Sequence, residues 1–147
     1  MKQQQQIIAL PHPQEWANFS QGENRKQLLV VSGDELPATE EQIDFLQKIL
    51  SAVQHDLQQD ALFLNTTRAQ RLSFTQICRA TPVQNTLVFG LQPAELGLHW
   101  RLPPYRVFRR QERAFLFADP LRELQQNQEL KRQLWEALQA MFKPESK

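Results

Sequence analysis

Asp34 and Glu35 stand side by side in the turn Ser32-Gly33-Asp34-Glu35-Leu36-Pro37, directly after the apolar run Leu28-Leu29-Val30-Val31. Carboxylates so placed can serve as general acid and base. Neighbouring side chains on a turn diverge, however, and a solvated turn leading into a helix accounts for the pair more simply. A second candidate is the set Arg101, Arg106, Arg109, Arg110 and Arg113, with Trp100 and Tyr105 among them. Guanidinium groups beside aromatic rings can hold phosphates and stack a base, or meet an acidic protein segment. On an edge strand the same charges simply discourage pairing with another sheet.

Other chemistries find no support in the spacing. His12, His55, His99 and Cys78 show none of the close pairings that zinc uses, so neither a metal nor a cofactor is expected. Gly33 is alone in its turn, whereas a phosphate loop needs several glycines. There is no G-x-S-x-G elbow and no reactive-cysteine context. Cys78 reads as a small buried hydrophobe and each His as a surface or packing residue, His55 near a helix end, where partial positive charge is favourable against the dipole.

The elements that must position these groups can be read from pattern. Leu28 to Val31 is a short apolar run bounded by Gly and Pro, the mark of a strand buried on both faces of a parallel sheet. Ligands of such folds bind beyond the carboxyl ends of the strands, which points to Ser32–Pro37 as the place for a site. Thr39-Glu40-Glu41-Gln42 fits a capping box, opening a helix predicted to run to about His55 with a stripe of Ile43, Leu46, Leu50, Val53 and Leu57. Ala61-Leu62-Phe63-Leu64-Asn65 is a second strand, ending in polar residues. Ser73 caps a short helix that must stop before Pro82, and Thr86-Leu87-Val88-Phe89-Gly90 is a third strand. Pro93 to Leu96 suits one helical turn. Tyr105–Arg109 and Arg113–Phe117 read as an edge hairpin, Asp119-Pro120 as a helix cap followed by its first residue, and Asn127 as the cap of a last helix to about Phe142.

Alternating strands and helices predict right-handed parallel crossovers. The expected fold is a three-layer α/β/α sandwich with a mainly parallel sheet of about four strands, a common size. The chain has 147 residues, 17 basic against 16 acidic, and one cysteine. That length suits a single domain, the cysteine count excludes an internal disulfide, and the charge balance argues against a protein held to nucleic acid by net charge. With no signal peptide and no apolar run long enough to span a bilayer, a cytoplasmic protein without a membrane contact is expected. The sequence divides into an N-terminal arm over 1–26, a domain over 27–143 and a tail over 144–147. Ile7, Leu10, Trp16 and Phe19 make the arm too apolar for a linker: it either packs on its own domain or docks in a partner's groove.

In the order of these motifs the chain resembles the uracil-DNA glycosylase superfamily, from about Leu28 to Phe142. There the first strand leads to a Gly-containing turn that holds the attacking water, similar to Ser32–Pro37. The second ends in an Asn that reads the base, similar to Leu64-Asn65, and the third reaches a Gly and a short helix, similar to Phe89-Gly90 and Pro93–Leu96. A His-Pro motif, an Asn and a helix with a central Trp correspond to Asp119-Pro120, Asn127 and Trp135. The departure is Asp119, which stands where those enzymes place a His that stabilises charge on the departing base; an ionised carboxylate would oppose it. The cysteines that hold an iron–sulfur cluster in some of these families are also missing.

Within that superfamily the chain is more similar to the psi-subunit family of the bacterial DNA polymerase III clamp loader, which looks like the glycosylase fold without the enzyme. An Asp-Leu-Pro-like turn, a strand ending in Leu-Gly and a Leu-Trp pair in the last helix are similar to Asp34–Pro37, Phe89-Gly90 and Leu134-Trp135. The resemblance implies a non-catalytic, protein-binding adaptor in DNA replication. Its arm (Ile7, Leu10, Trp16, Phe19) would dock on the clamp loader, its domain would hold a chi-like partner, and Gly33, Asp34, Glu35, Asn65 and Asp119 would line a vestigial crevice. Two other readings stay open: a glycosylase-like enzyme acting on damaged or single-stranded DNA, with Asp34 or Glu35 orienting water and Asn65 reading the base, and a nucleic-acid-binding module built on the arginine cluster.

Overall fold

The computed structural model describes residues 15–142. In chain order the strands are Ser20–Gln21 (β1), Leu28–Asp34 (β2), Ala61–Thr67 (β3), Asn85–Phe89 (β4), Phe108–Arg110 (β5) and Arg113–Ala118 (β6). The helices are Glu40–Ala52 (α1), Leu57–Asp60 (α2), Phe74–Ala80 (α3), Leu121–Gln125 (α4) and Gln128–Phe142 (α5), with 3₁₀ turns at Glu15–Phe19 and Pro93–Leu96. As its composition requires, β2 is an inner strand, parallel to β3 on one side and to β4 on the other. β6 extends the sheet parallel to β4, and short antiparallel strands finish both edges, giving the order β1-β3-β2-β4-β6-β5.

The fold is therefore α/β, but its sheet is mixed and six-stranded rather than a sheet of about four mainly parallel strands. Two features account for the difference. A two-residue strand such as β1 carries no periodicity to read. β6, expected as half of an edge hairpin, is instead an inner strand, and its buried run Ala114–Ala118 is the pattern that inner parallel strands show. Only β5 lies at that edge.

Alternate residues of each inner strand feed two cores. Leu28 and Val30 face a cluster closed by Leu46 and Leu50 of α1, Leu121 and Leu124 of α4 and Leu134, Leu138 and Met141 of α5. Leu29 and Val31 face a second cluster with Phe74 and Ile77 of α3, Phe115 and Phe117. These four of the seven β2 residues are fully buried, each contributing about 1.5–3 kcal/mol by leaving water. The second face is covered by one short helix and by irregular chain, including Trp100 and Leu102. Trp16 and Phe19 also pack there, and β1 pairs Ser20 with Leu64, so the domain starts before residue 27. Ile7 and Leu10 lie outside the described residues. No helix among the described residues is long and apolar enough to cross a membrane.

Two of the expected caps form as read: Thr39 and Gln42 make reciprocal 3.2 Å bonds at the start of α1, and the Asn127 side chain accepts from Leu130 N at α5. The end of α1 is a correction. The helix stops at Ala52, Gln54 turns to a φ of 66°, and Leu57 begins a separate turn capped by Asp56. The His55 ring stacks on Phe142 at 4.2 Å.

Two glycines fix how closely the strand ends approach. A Cβ on Gly90, where φ is 88°, would overlap the carbonyl oxygen of Gly33. The atoms nearest a Cβ on Gly33 all belong to the flexible Leu91 side chain, at 2.5–2.8 Å. Gly90→Ala is therefore expected to cost more than about 3 kcal/mol in urea unfolding, combining a strained φ with a backbone clash. Gly33→Ala should be largely rescued by Leu91→Ala, measured against Leu91→Ala alone. Equal rescue of both glycine variants would contradict this packing.

Candidate functional site

The carboxyl ends of the parallel strands carry the residues expected to line a crevice, and Asn65, Asp34 and Asp119 there are bonded to their own fold. Asn65 sits opposite Ser32 in the β2–β3 register. Its Oδ1 accepts from the Ala38 N–H at 2.8 Å and its Nδ2 donates to the Ala38 carbonyl at 3.2 Å. An amide offers one donor and one acceptor side by side, as a strand backbone does. Asn65 thus pins the chain just before the Thr39 cap and sets where α1 begins.

Asp34 and Glu35 diverge. The Asp34 carboxylate is gripped by the Arg122 guanidinium of α4, at 2.7 Å to Nε and 3.1 Å to Nη2, and also accepts from the Glu35 N–H. The hydrogen bond from Arg122 holds the Asp34 carboxyl below its ordinary value, against an opposing contribution from burial. A depressed carboxyl stabilises the fold at neutral pH, and that contribution fades as the medium is acidified below 3.8. Glu35 points outward, with its side chain 81% exposed and Arg68 at 3.8 Å, while Arg68 also donates to Glu95 at 3.1 Å. The two carboxylates do not form an acid/base pair.

Asp119 does not cap α4. Pro120 occupies the cap position without a side-chain bond, and the Asp119 carboxylate accepts from the Tyr105 hydroxyl at 2.7 Å instead. The same hydroxyl accepts from the Asp119 N–H at 3.1 Å. Tyr105 has a φ of 64° and donates its own N–H to Phe117 O, so the ring is fixed at both ends. Burial first, then the bond to Asp119, pushes the Tyr105 phenol above its ordinary 10.0.

Leu91 fills the space over Gly33. What remains open is a cleft of about 150 Å³ lined by Arg68, Leu91, Leu102, Phe117, Asp119 and Pro120, among others. Ligand pockets run to about 300–1,000 Å³. Asp119 reaches this cleft, whereas Gly33, Asp34, Glu35 and Asn65 are not among its walls. The expected crevice residues are neighbours along the strand ends but do not share one open space.

The arginines are likewise divided. Arg109 donates to Ala140 O at the end of α5, Arg110 stacks over Trp100 at 5.7 Å, and Arg113 donates to Val83 O and lies over Phe74 at 5.8 Å. Arg101 and Arg106 are exposed. Among the described residues no group of three or more His, Cys, Asp or Glu is placed to hold a metal, and Cys78 is half-buried against the second core cluster. Sequence reasoning missed Arg122, Tyr105 and Leu91 as the groups that occupy the strand ends. No spacing could have paired Asp34 with a residue 88 positions away.

Comparison of the chain with models of known protein families and with curated proteins finds no match.

Tyr105 is the single tyrosine of the chain, so the ultraviolet absorbance of tyrosinate reads this site alone. The fold favours the neutral phenol; its contribution is complete below 10.0 and is lost as pH rises beyond that. The folded protein should show no tyrosinate near pH 10.0, and Tyr105→Phe should cost about 1–2 kcal/mol at neutral pH through the orphaned carboxylate. Ionisation at the ordinary value in folded protein would refute the Tyr105–Asp119 bond.

Proposed function

We propose that this chain is a non-catalytic protein-binding adaptor in DNA replication, similar to the psi subunits of the polymerase III clamp loader, with a domain related to the uracil-DNA glycosylases. One observation carries the reading: of the polar groups that correspond to a glycosylase's working residues, all but the exposed Glu35 are bonded back to their own fold. Asn65 is paired with the Ala38 backbone, Asp34 with Arg122 and Asp119 with Tyr105. A catalyst keeps such groups aimed at where charge develops on the substrate. Here a carboxylate held by a phenol stands where an imidazole would be needed, and Leu91 occupies the space over the turn that would hold water.

In this reading the working surfaces are outside the crevice. Ile7 and Leu10 supply anchors for one partner, in a complex resembling the psi–clamp-loader contact. Trp16 and Phe19, packed on the second core cluster, tie that segment to the domain. A chi-like protein would bind the domain itself.

Two measurements test the proposal together. Purified protein incubated with uracil- and hypoxanthine-containing oligonucleotides should release no free base. The full chain should recover clamp-loader proteins from a lysate of its source cell, and Ile7→Ala with Leu10→Ala should reduce that recovery at least tenfold without changing the unfolding midpoint. Base release abolished by Asn65→Ala would establish the glycosylase-like enzyme instead.

A further inference from the structure

Between α1 and α5, above the closed core, the two helices leave an apolar groove open to solvent. Phe45 and Ile49 of α1 and Leu134 and Trp135 of α5 line a groove of about 320 Å³, with Lys48 and Lys131 at its rim. Trp135 is 39% exposed and shares with Leu36 the distinction of being a large exposed hydrophobe among the described residues. Exposed Trp beside an apolar hollow is the composition of a binding hot spot rather than of ordinary surface.

The charges around the groove discriminate between occupants. Arg132, next to Lys131, is neutralised on the outer face of α5 by Glu129 and Glu136. Lys48 and Lys131 differ: among the described residues no carboxylate comes within 4.0 Å of either, Asp44 one turn from Lys48 included. The Lys131 ammonium is held at the rim, 5.6 Å from the Phe45 ring centroid. A second copy docking about a two-fold axis would set these lysines against their own counterparts, like charge against like. A segment bearing carboxylates would relieve them.

We propose that the α1–α5 groove docks a short acidic amphipathic segment of a partner protein, seating one or two aromatic or aliphatic side chains on Phe45, Ile49, Leu134 and Trp135 and its carboxylates on Lys48 and Lys131. The inference rests on the adaptor reading and assigns it a surface and a partner chemistry.

The test pans the full chain against a display library of random peptides of about twelve residues, roughly three helical turns. Enriched sequences should combine Asp or Glu with Leu, Phe or Trp. Synthetic copies should bind more weakly as salt is raised, and should perturb indole fluorescence in the native chain but not in Trp135→Phe. Lys48→Glu with Lys131→Glu should weaken binding at least tenfold, and Lys48→Ala with Lys131→Ala by an intermediate factor, both with an unchanged circular dichroism spectrum. Absence of enrichment, enrichment of neutral or basic peptides, or binding indifferent to the lysine variants overturns the inference. So does a dimer in sedimentation that Trp135→Ser dissociates. If the native chain recovers replication proteins from lysate and the double glutamate variant recovers the same set, the groove assignment fails alone. If the native chain recovers none, the adaptor reading fails with it.

Discussion

Where β2 and β4 end, the carbonyl of Gly33 and the Cα of Gly90 approach so closely that no side chain fits between them. The rest of the strand-end surface is arranged around that contact. Because Gly90 turns at a φ of 88°, Leu91 folds back over Gly33, and the Gly90 N–H reaches Ala118 O at 2.9 Å, carrying the closure across to β6. The place where an α/β sheet ordinarily opens to a ligand is here occupied by the protein's own backbone and one leucine.

Charge follows the same inward logic. Arg122, reaching from α4 to Asp34, ties the helix that follows β6 to the end of β2, and Arg68 spans Glu35 and Glu95. These pairs are partly exposed, so each contributes little to stability by itself; their effect is to fix positions. Asn65 and Tyr105 do with neutral groups what Arg122 does with charge, and the three together hold the loop after β2, the segment before β5 and the start of α4 against the strand ends. Groups held by such partners are poorly placed to turn toward a substrate, which is the physical content of the non-catalytic reading.

Local signals were legible in the sequence and distant ones were not. The Thr39–Gln42 box, the Ser73 cap and the Asn127 cap are interactions over three residues, and each formed where its spacing indicated. The inner position of β2 could be read because a strand buried on both faces has no polar alternation. Asp119-Pro120 shows the limit: as a local pair it spells a helix cap, but the Tyr105 hydroxyl, fourteen residues upstream, takes the carboxylate. The end of α1 shows another, since the stripe from Ile43 to Leu57 continues across a break made by Gln54 and the Asp56 cap. Adjacent turns can present apolar residues to one core without being one helix. The hairpin between β5 and β6 was expected, yet its turn residues Gln111 and Glu112, at φ 54° and 67°, are not the Asn-Gly that favours such a turn; the strands on either side determine it.

The sheet's two borders differ in length from its interior. β1 has two residues and β5 three, the latter carrying exposed Arg109 and Arg110, while the inner strands run to seven. Recognition by main-chain addition, in which a visiting peptide lengthens the ladder, therefore has almost no template on either side. In the proposed adaptor, partners would then be held through side chains displayed on helices and loops. Its specificity can then be altered one residue at a time without disturbing the hydrogen-bonded frame beneath.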